Sequence, residues 1–274
     1  MTMIKNFIRN SRVIYILIFL KRILFFIKNT YLKIQKGLNW LFTSKEHTNF
    51  TFTLSTNSIE ALKFYLKNSY KIDKDISTQM INSALETKVS FTNHNLKKSF
   101  FYDLNKDNNW DYRIVAFILF SQLKVDYIFE FGISHGKLPY LIYKNLNYVD
   151  QNKLYIGIEN NLRKGGLSYL IENTNQFNFY WSSVEDYLSN EIIEINNSIV
   201  VCSTHEKNSE NFIFDFLKDK KLKPQIIISD NTEVDSAYYK FVNQNDNYET
   251  EFLTFVDKKE FISPLTIGVS KFVN

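Results

Sequence analysis

A chain of 274 residues that is 45% hydrophobic and 16% aromatic has the apolar mass for a sizeable core, which excludes a disordered polypeptide. The single cysteine, Cys202, excludes an intramolecular disulfide and a cysteine-only metal site and suits a reducing, cytoplasmic compartment. The net charge of +4 is uneven, because the first 45 residues hold basic side chains and no acidic one. A basic arm on a mildly acidic body is not the footprint of a general nucleic-acid binder.

The arm comes first. Lys5, Arg9, Arg12, Lys21, Arg22, Lys28, Lys33, Lys36 and Lys45 punctuate apolar clusters such as VIYILIFL and ILFFI. A membrane-spanning helix needs about 20 apolar residues, and Lys21-Arg22 in mid-span would cost roughly 5–7 kcal/mol. LKRILFFIKN offers no small-residue signal cleavage site. Residues 1–45 therefore read as a basic amphipathic helical arm resting on an anionic membrane surface, peripheral on its inner face. A helix packed on the body or on a partner chain, and a true span, are the rival readings.

Residues 46–123 read as a helical cap region, with helical pattern from Ser55 to about Val89. TNSIEALKFYL places Asn57 three residues before Glu60, a capping-box spacing, with Ile59, Leu62 and Leu66 at helical intervals. After the polar NKDNN, the unbroken apolar run in WDYRIVAFILFSQL predicts a well-buried helix.

From residue 124 to 274 the period changes. VDYIFEFG, KLYIGIE, SIVVCS and PQIIISD read as buried strands, separated by helical patterns such as KLPYLIYKNL and KNSENFIFDFLKD. Alternating strands and helices predict a Rossmann-like, mostly parallel sheet with ligands beyond the strand carboxyl ends. YETEFLTFVD and SPLTIGVSKFV lie too close together for a helical crossover, and predict an antiparallel hairpin on the sheet edge.

YIFEFGISHGKLPYLI holds two of the seven glycines just after a predicted strand. Glycine there serves a left-handed turn or a close approach. A dinucleotide fingerprint needs G-x-G-x-x-G, but Ser134 takes the middle position and Lys137 the third. An NAD(P) site is therefore the weaker reading. The next strand ends in Glu159, placed to accept hydrogen bonds from ribose hydroxyls.

Glu130 ahead of G-x-x-x-G, Glu159 at the following strand end, Ser183-Val184-Glu185 in FYWSSVEDYL and Asp230-Asn231 in IIISDNTEVD together resemble the class I S-adenosylmethionine-dependent methyltransferases, in particular the bacterial catechol O-methyltransferase-like branch. The resemblance runs from about Phe50 to Asn274 and includes DYRIVAF, whose Tyr112 and Arg113 match a family pattern. It implies a seven-stranded sheet with S-adenosyl-L-methionine as cofactor, held by Arg113, Glu130, Gly132, Ile133, Ser134, Gly136, Glu159, Ser183 and Val184. Glu130 would face the amino-acid end, Glu159 the ribose, and Val184 or Trp181 the adenine. Ser182 stands where the family carries an acid toward the adenine amino group.

The acceptor implied is a small molecule, sugar or lipid-linked glycan methylated on oxygen, with His205 as general base aided by Asp230. The family's Mg²⁺ site needs an acid where this chain has Thr204, so no metal is expected; Glu206, Asp230 and Asn231 would be the ligands if one were held. The competing reading is a catalytically silent binding or scaffold protein on the same fold.

Overall fold

A computed structural model describes residues 50–55, 58–93, 111–161, 168, 171, 175–190, 195–204, 206–232, 235–255 and 266–273. The basic arm, the NKDNN loop and His205 lie outside the described residues.

The elements run β1 (Phe50–Ser55), α1 (Ser58–Tyr70), α2 (Lys74–Asn93), α3 (Asp111–Gln122), β2 (Tyr127–Phe131), α4 (Lys137–Lys144), β3 (Leu154–Ile158), β4 (Phe177–Tyr180), α5 (Val184–Asn190), β5 (Ser198–Cys202), α6 (Lys207–Asp219), β6 (Ile226–Ser229), α7 (Ala237–Asn243), β7 (Tyr248–Phe255) and β8 (Thr266–Phe272). One eight-stranded sheet has the order β4-β3-β2-β5-β6-β8-β7-β1. Strands β2 to β6 pair in parallel, while β8 is antiparallel to both β6 and β7. This is the Rossmann-like sheet with a C-terminal antiparallel hairpin. The chain winds outward from β2 in one direction to β4, then returns to β5 beside β2, which puts the topological switch point between β2 and β5.

Strand alternation divides the core. Ile128, Tyr155, Ile199, Val201, Ile226 and Ile228 share one face, and pack into a core with residues of α1 to α4. Helix α3 is central to that layer. Every residue from Tyr112 to Phe120 is buried, as its unbroken apolar run requires. Lys153 closes its carboxyl end, donating from Nζ to the carbonyls of Phe120 (2.5 Å), Ser121 (3.2 Å) and Leu123 (2.7 Å). Buried Asn145, just past α4, accepts from Ser83 and donates to Thr87 Oγ1 (3.1 Å) and the Leu141 carbonyl (2.7 Å), clasping α2 to α4. On the other face, α7 lays Tyr238 against the hairpin, its hydroxyl 2.7 Å from Ser270 Oγ and its ring against Phe252.

Two expectations change. The hairpin is not the sheet edge: β8 inserts between β6 and β7, and β1 then pairs in parallel outside β7, adding an eighth strand. Ser55 ends that strand and is not helical; the helical pattern starts at Ser58. Glu60 pairs with Lys63 at 2.9 Å, and its expected capping-box partner Asn57 lies outside the described residues.

Candidate ligand-binding site

Where β2 ends, the chain stays bonded to both neighbours for one more step. Gly132 N–H donates to the Ile158 carbonyl (2.9 Å), and Ser203 N–H donates to the Phe131 carbonyl (2.9 Å). Gly132 then turns with φ +89°. A Cβ there would sit 2.8 Å from both the Ser203 carbonyl oxygen and Thr204 Cα, so glycine lets the β5–α6 connection close on the turn. Ser203 Oγ fixes that approach by donating to the Gly132 carbonyl at 2.7 Å. Gly136, at φ +70°, stands ahead of α4 and accepts the Tyr140 N–H.

Between the glycines, Ser134 is also left-handed (φ +54°), a costly conformation for a residue with a side chain. Its N–H donates to Glu159 Oε2 at 3.0 Å. The other oxygen, Oε1, accepts the Asn161 N–H at 3.1 Å. Glu159 is buried and acts as the hinge pin between the glycine turn and the loop after β3.

The walls so assembled enclose a cleft of about 500 Å³, part of it open to solvent, lined by Gly132, Ser134, Ile158, Glu159, Asn160, Val184, Ser203, Thr204, Glu206 and Ser209. It lies beyond the carboxyl ends of β3, β2 and β5, at the switch point, where open α/β sheets bind ligands. Opposite the turn, Ser209 Oγ donates to Glu185 Oε1 (3.1 Å), joining α6 to α5. At the end of β6, Asn231 Nδ2 donates to Glu210 Oε2 at 2.6 Å, which holds the chain on the carboxyl side of half-buried Asp230.

The structure separates the sequence candidates. Gly132, Ser134, Glu159 and Val184 meet on the cleft wall, and Glu206 joins them. Ile133 does not face the cleft: it is fully buried, against Gly157. Ser183 caps α5, its hydroxyl accepting the Asp186 N–H at 3.0 Å. Trp181 stacks on Phe179 (centroids 6.4 Å apart, planes at 21°). Arg113 is buried at the start of α3, its guanidinium carbon 4.2 Å from the centre of the Tyr112 ring.

Glu130 departs furthest from expectation. It is wholly buried on the α3 side of the sheet and is not among the cleft-lining residues. Tyr155 donates its hydroxyl to Glu130 Oε2. Burial pushes the Glu130 carboxyl up to about 8, against the opposing pull of Arg113 and of the Tyr155 hydrogen bond. A period of two sends residue 130 to the face opposite Phe129 and Phe131.

Residues that the sequence reading passed over also line the cleft: Ile158, Asn160, Ser203 and Ser209; Thr204, noted in the sequence for the acid it lacks, lies on the wall with them. Their signal is position alone, in the last residues of a predicted strand, just beyond its end, or in the first turn of the next helix. Among the described residues, no group of three or more His, Cys, Asp or Glu side chains comes together as a metal site would need.

Fold and cleft thus define a Rossmann-like α/β domain with a solvent-open cleft at its switch point. No protein-family model matches the chain, and no curated protein matches it. Solved structures similar to it include the O-methyltransferase from Bacillus cereus in complex with SAH (13% identity, TM-score 0.44, covering 78% of this chain and 99% of that one). The SAH-bound methyltransferase of Podospora anserina is similar at 14% identity and TM-score 0.47, covering 78% and 94%. The O-methyltransferase TomG of Streptomyces achromogenes, in complex with SAM, is similar at 11% identity and TM-score 0.43, covering 78% and 96%.

Proposed function

We propose that this chain binds S-adenosyl-L-methionine in the switch-point cleft and transfers its methyl group to an oxygen of a small-molecule acceptor, a sugar or lipid-linked glycan being the class in view. The observation that carries the reading is the buried Glu159 carboxylate on the cleft wall, with the Ser134 amide already spent on it. A glycine turn that serves a pyrophosphate offers its amides to an anion. Here the Ser134 amide is taken by Glu159 and is not free for a pyrophosphate, which argues against a dinucleotide, while the carboxylate suits a ligand carrying a ribose diol and a positive sulfonium. When bound, that ligand supplies an electrophilic methyl group.

The residues of the chain then divide the work. Glu159 retains lone pairs for the ribose hydroxyls after accepting two backbone amides. Val184 offers an apolar surface for the base, and the Gly132–Ser134 backbone approaches the amino-acid end. His205 is the base that takes the acceptor proton, imidazole being the side chain that ordinarily exchanges protons near neutrality, and Asp230, just past β6, aids it. Positioning of the two substrates supplies much of the rate. Divalent metal has no part in this scheme, so EDTA leaves an active preparation active; activity lost to EDTA and restored by Mg²⁺ overturns that element.

Calorimetry is the first test. S-adenosylmethionine and S-adenosylhomocysteine bind and NAD does not; binding of NAD alone refutes the reading. The silent-scaffold reading is favoured by Ser182 and Thr204, each standing where the resembled family carries an acid, and by Ser183, whose hydroxyl is spent as a helix cap. Ligand binding with no transfer of isotope-labelled methyl to any component of a cell extract would favour it.

A further inference from the structure

Glu130 lies across from Gly157 in β3 and Val201 in β5, on the helix-covered face of the sheet. Tyr155, two residues before Gly157 on the same face, must pass over that glycine for its hydroxyl to meet Glu130. A Cβ on Gly157 would lie 2.9 Å from both Tyr155 Cε1 and its hydroxyl oxygen, and 2.7 Å from Ile133 Cδ1. The empty space left by one missing side chain is therefore shared by Tyr155 and by Ile133, the second residue of the glycine turn. Glu130 meets Tyr155 through a hydrogen bond, and Tyr155 and Ile133, all three buried, both border the space over Gly157 behind the turn.

We propose that Glu130, Tyr155 and Gly157 form a positioning device that holds the glycine turn from the helix-covered side of the sheet, and that Glu130 does not touch the ligand. Tyr155 is pinned at its hydroxyl end by Glu130, so its ring presents a fixed surface. Ile133 packs into the notch that this ring and Gly157 create. Fixing Ile133 fixes the φ, ψ path from Gly132 to Gly136, and with it the Ser134 amide that Glu159 accepts. The groups facing Glu130 are Tyr112 and Arg113 of α3, Tyr155 of β3, Glu159 after β3 and Asp230 after β6. Among these, Tyr155 donates to its Oε2, while Oε1 has no hydrogen-bond partner among the described residues. One hydrogen bond therefore joins Glu130 to Tyr155, and the test can be aimed at it.

The test compares Tyr155→Phe, Glu130→Gln and Glu130→Leu with the wild type in two measurements. Amide hydrogen exchange at residues 132–136 is read on the ligand-free protein, and S-adenosylhomocysteine affinity is read by calorimetry. The affinity measurement rests on the function proposed above; the exchange measurement does not. Tyr155→Phe and Glu130→Leu should speed exchange across the turn and weaken affinity by about fivefold to tenfold, the equivalent of one hydrogen bond. Glu130→Gln keeps an acceptor for Tyr155 and should leave both close to wild type. Unchanged exchange in Tyr155→Phe overturns the proposal. So does Glu130→Gln weakening affinity as much as Glu130→Leu, because the carboxylate charge would then be acting on the ligand. If the wild type does not bind S-adenosylhomocysteine but exchange still responds, the function fails and the positioning device stands. Should Glu130→Leu fail to fold, the other two variants decide.

Discussion

Glu159 accepts the Ser134 amide at 3.0 Å across 25 positions of sequence, and through that bond the loop after β3 holds a left-handed serine in place. Removing the carboxylate takes away the partner that the Ser134 and Asn161 amides have in Glu159 and, on the function proposed above, the acceptor for the ligand's ribose. Glu159→Ala is expected to weaken S-adenosylmethionine binding by about 1–3 kcal/mol, the usual cost of stranding buried donors. Calorimetry measures it. An unchanged dissociation constant would remove Glu159 from the ligand site and leave it a purely structural acid.

The buried Glu130 carboxyl makes stability depend on pH. Its folded value, near 8, lies above the ordinary 4.5. Below the ordinary value both folded and unfolded chains carry the proton, and no difference arises. Between about 4.5 and 8 the unfolded chain releases the proton while the fold keeps it, so stability falls as pH rises and levels off above that window. The slope is bounded by about 1.4 kcal/mol per pH unit. Glu130→Gln, which mimics the protonated acid, should flatten this decline, as read from urea denaturation at pH 5, 7 and 9. A variant that declines as steeply as the wild type would show that other groups set the dependence.

Lys153 is a mid-chain cation whose work is to close a helix. Burial lowers its pKa, opposed by Asp150 and Asp126, and its three carbonyl acceptors at the end of α3 take the place of water. Lys153→Met keeps the aliphatic stem and loses the donors, so a loss of about 1–3 kcal/mol in unfolding free energy is expected. The same substitution should leave ligand affinity alone, because α3 ends at the amino-terminal edge of the sheet, away from the cleft. A stability change under about 0.5 kcal/mol would mean that water replaces the ammonium there without cost.

The nine cations of residues 1–45, interleaved with apolar clusters, predict salt-sensitive binding to anionic vesicles. Flotation with vesicles of phosphatidylglycerol and phosphatidylcholine should carry the full chain upward at low salt and release it at high salt. A chain lacking residues 1–45 should stay at the bottom. Equal behaviour of the two would make the arm a packing element.

Much of this protein is legible along the chain, because strands buried on both faces must be apolar throughout and the helices between them must be amphipathic. FIFDFL inside α6 and IIIS at β6 follow from that rule, while the unbroken apolar run of α3 marks a helix buried all round. The glycine turn is equally local, since a left-handed step after a strand calls for glycine. Its partner Glu159 is found by counting to the next strand end.

What only the tertiary structure decided concerns direction and pairing. Glu130 looks like a ligand contact in the sequence, yet strand alternation and the missing side chain of Gly157 turn it inward to Tyr155. Ser183 looks like a base contact, yet the start of α5 takes its hydroxyl. Strand β1 finds its partner β7 some 200 residues on, by a parallel register of Phe50 with Thr250 that no local pattern encodes. Period and propensity act over a few residues and are written in the chain. Which face a carboxylate meets, and which strand an edge selects, depend on side chains brought together only when the sheet closes.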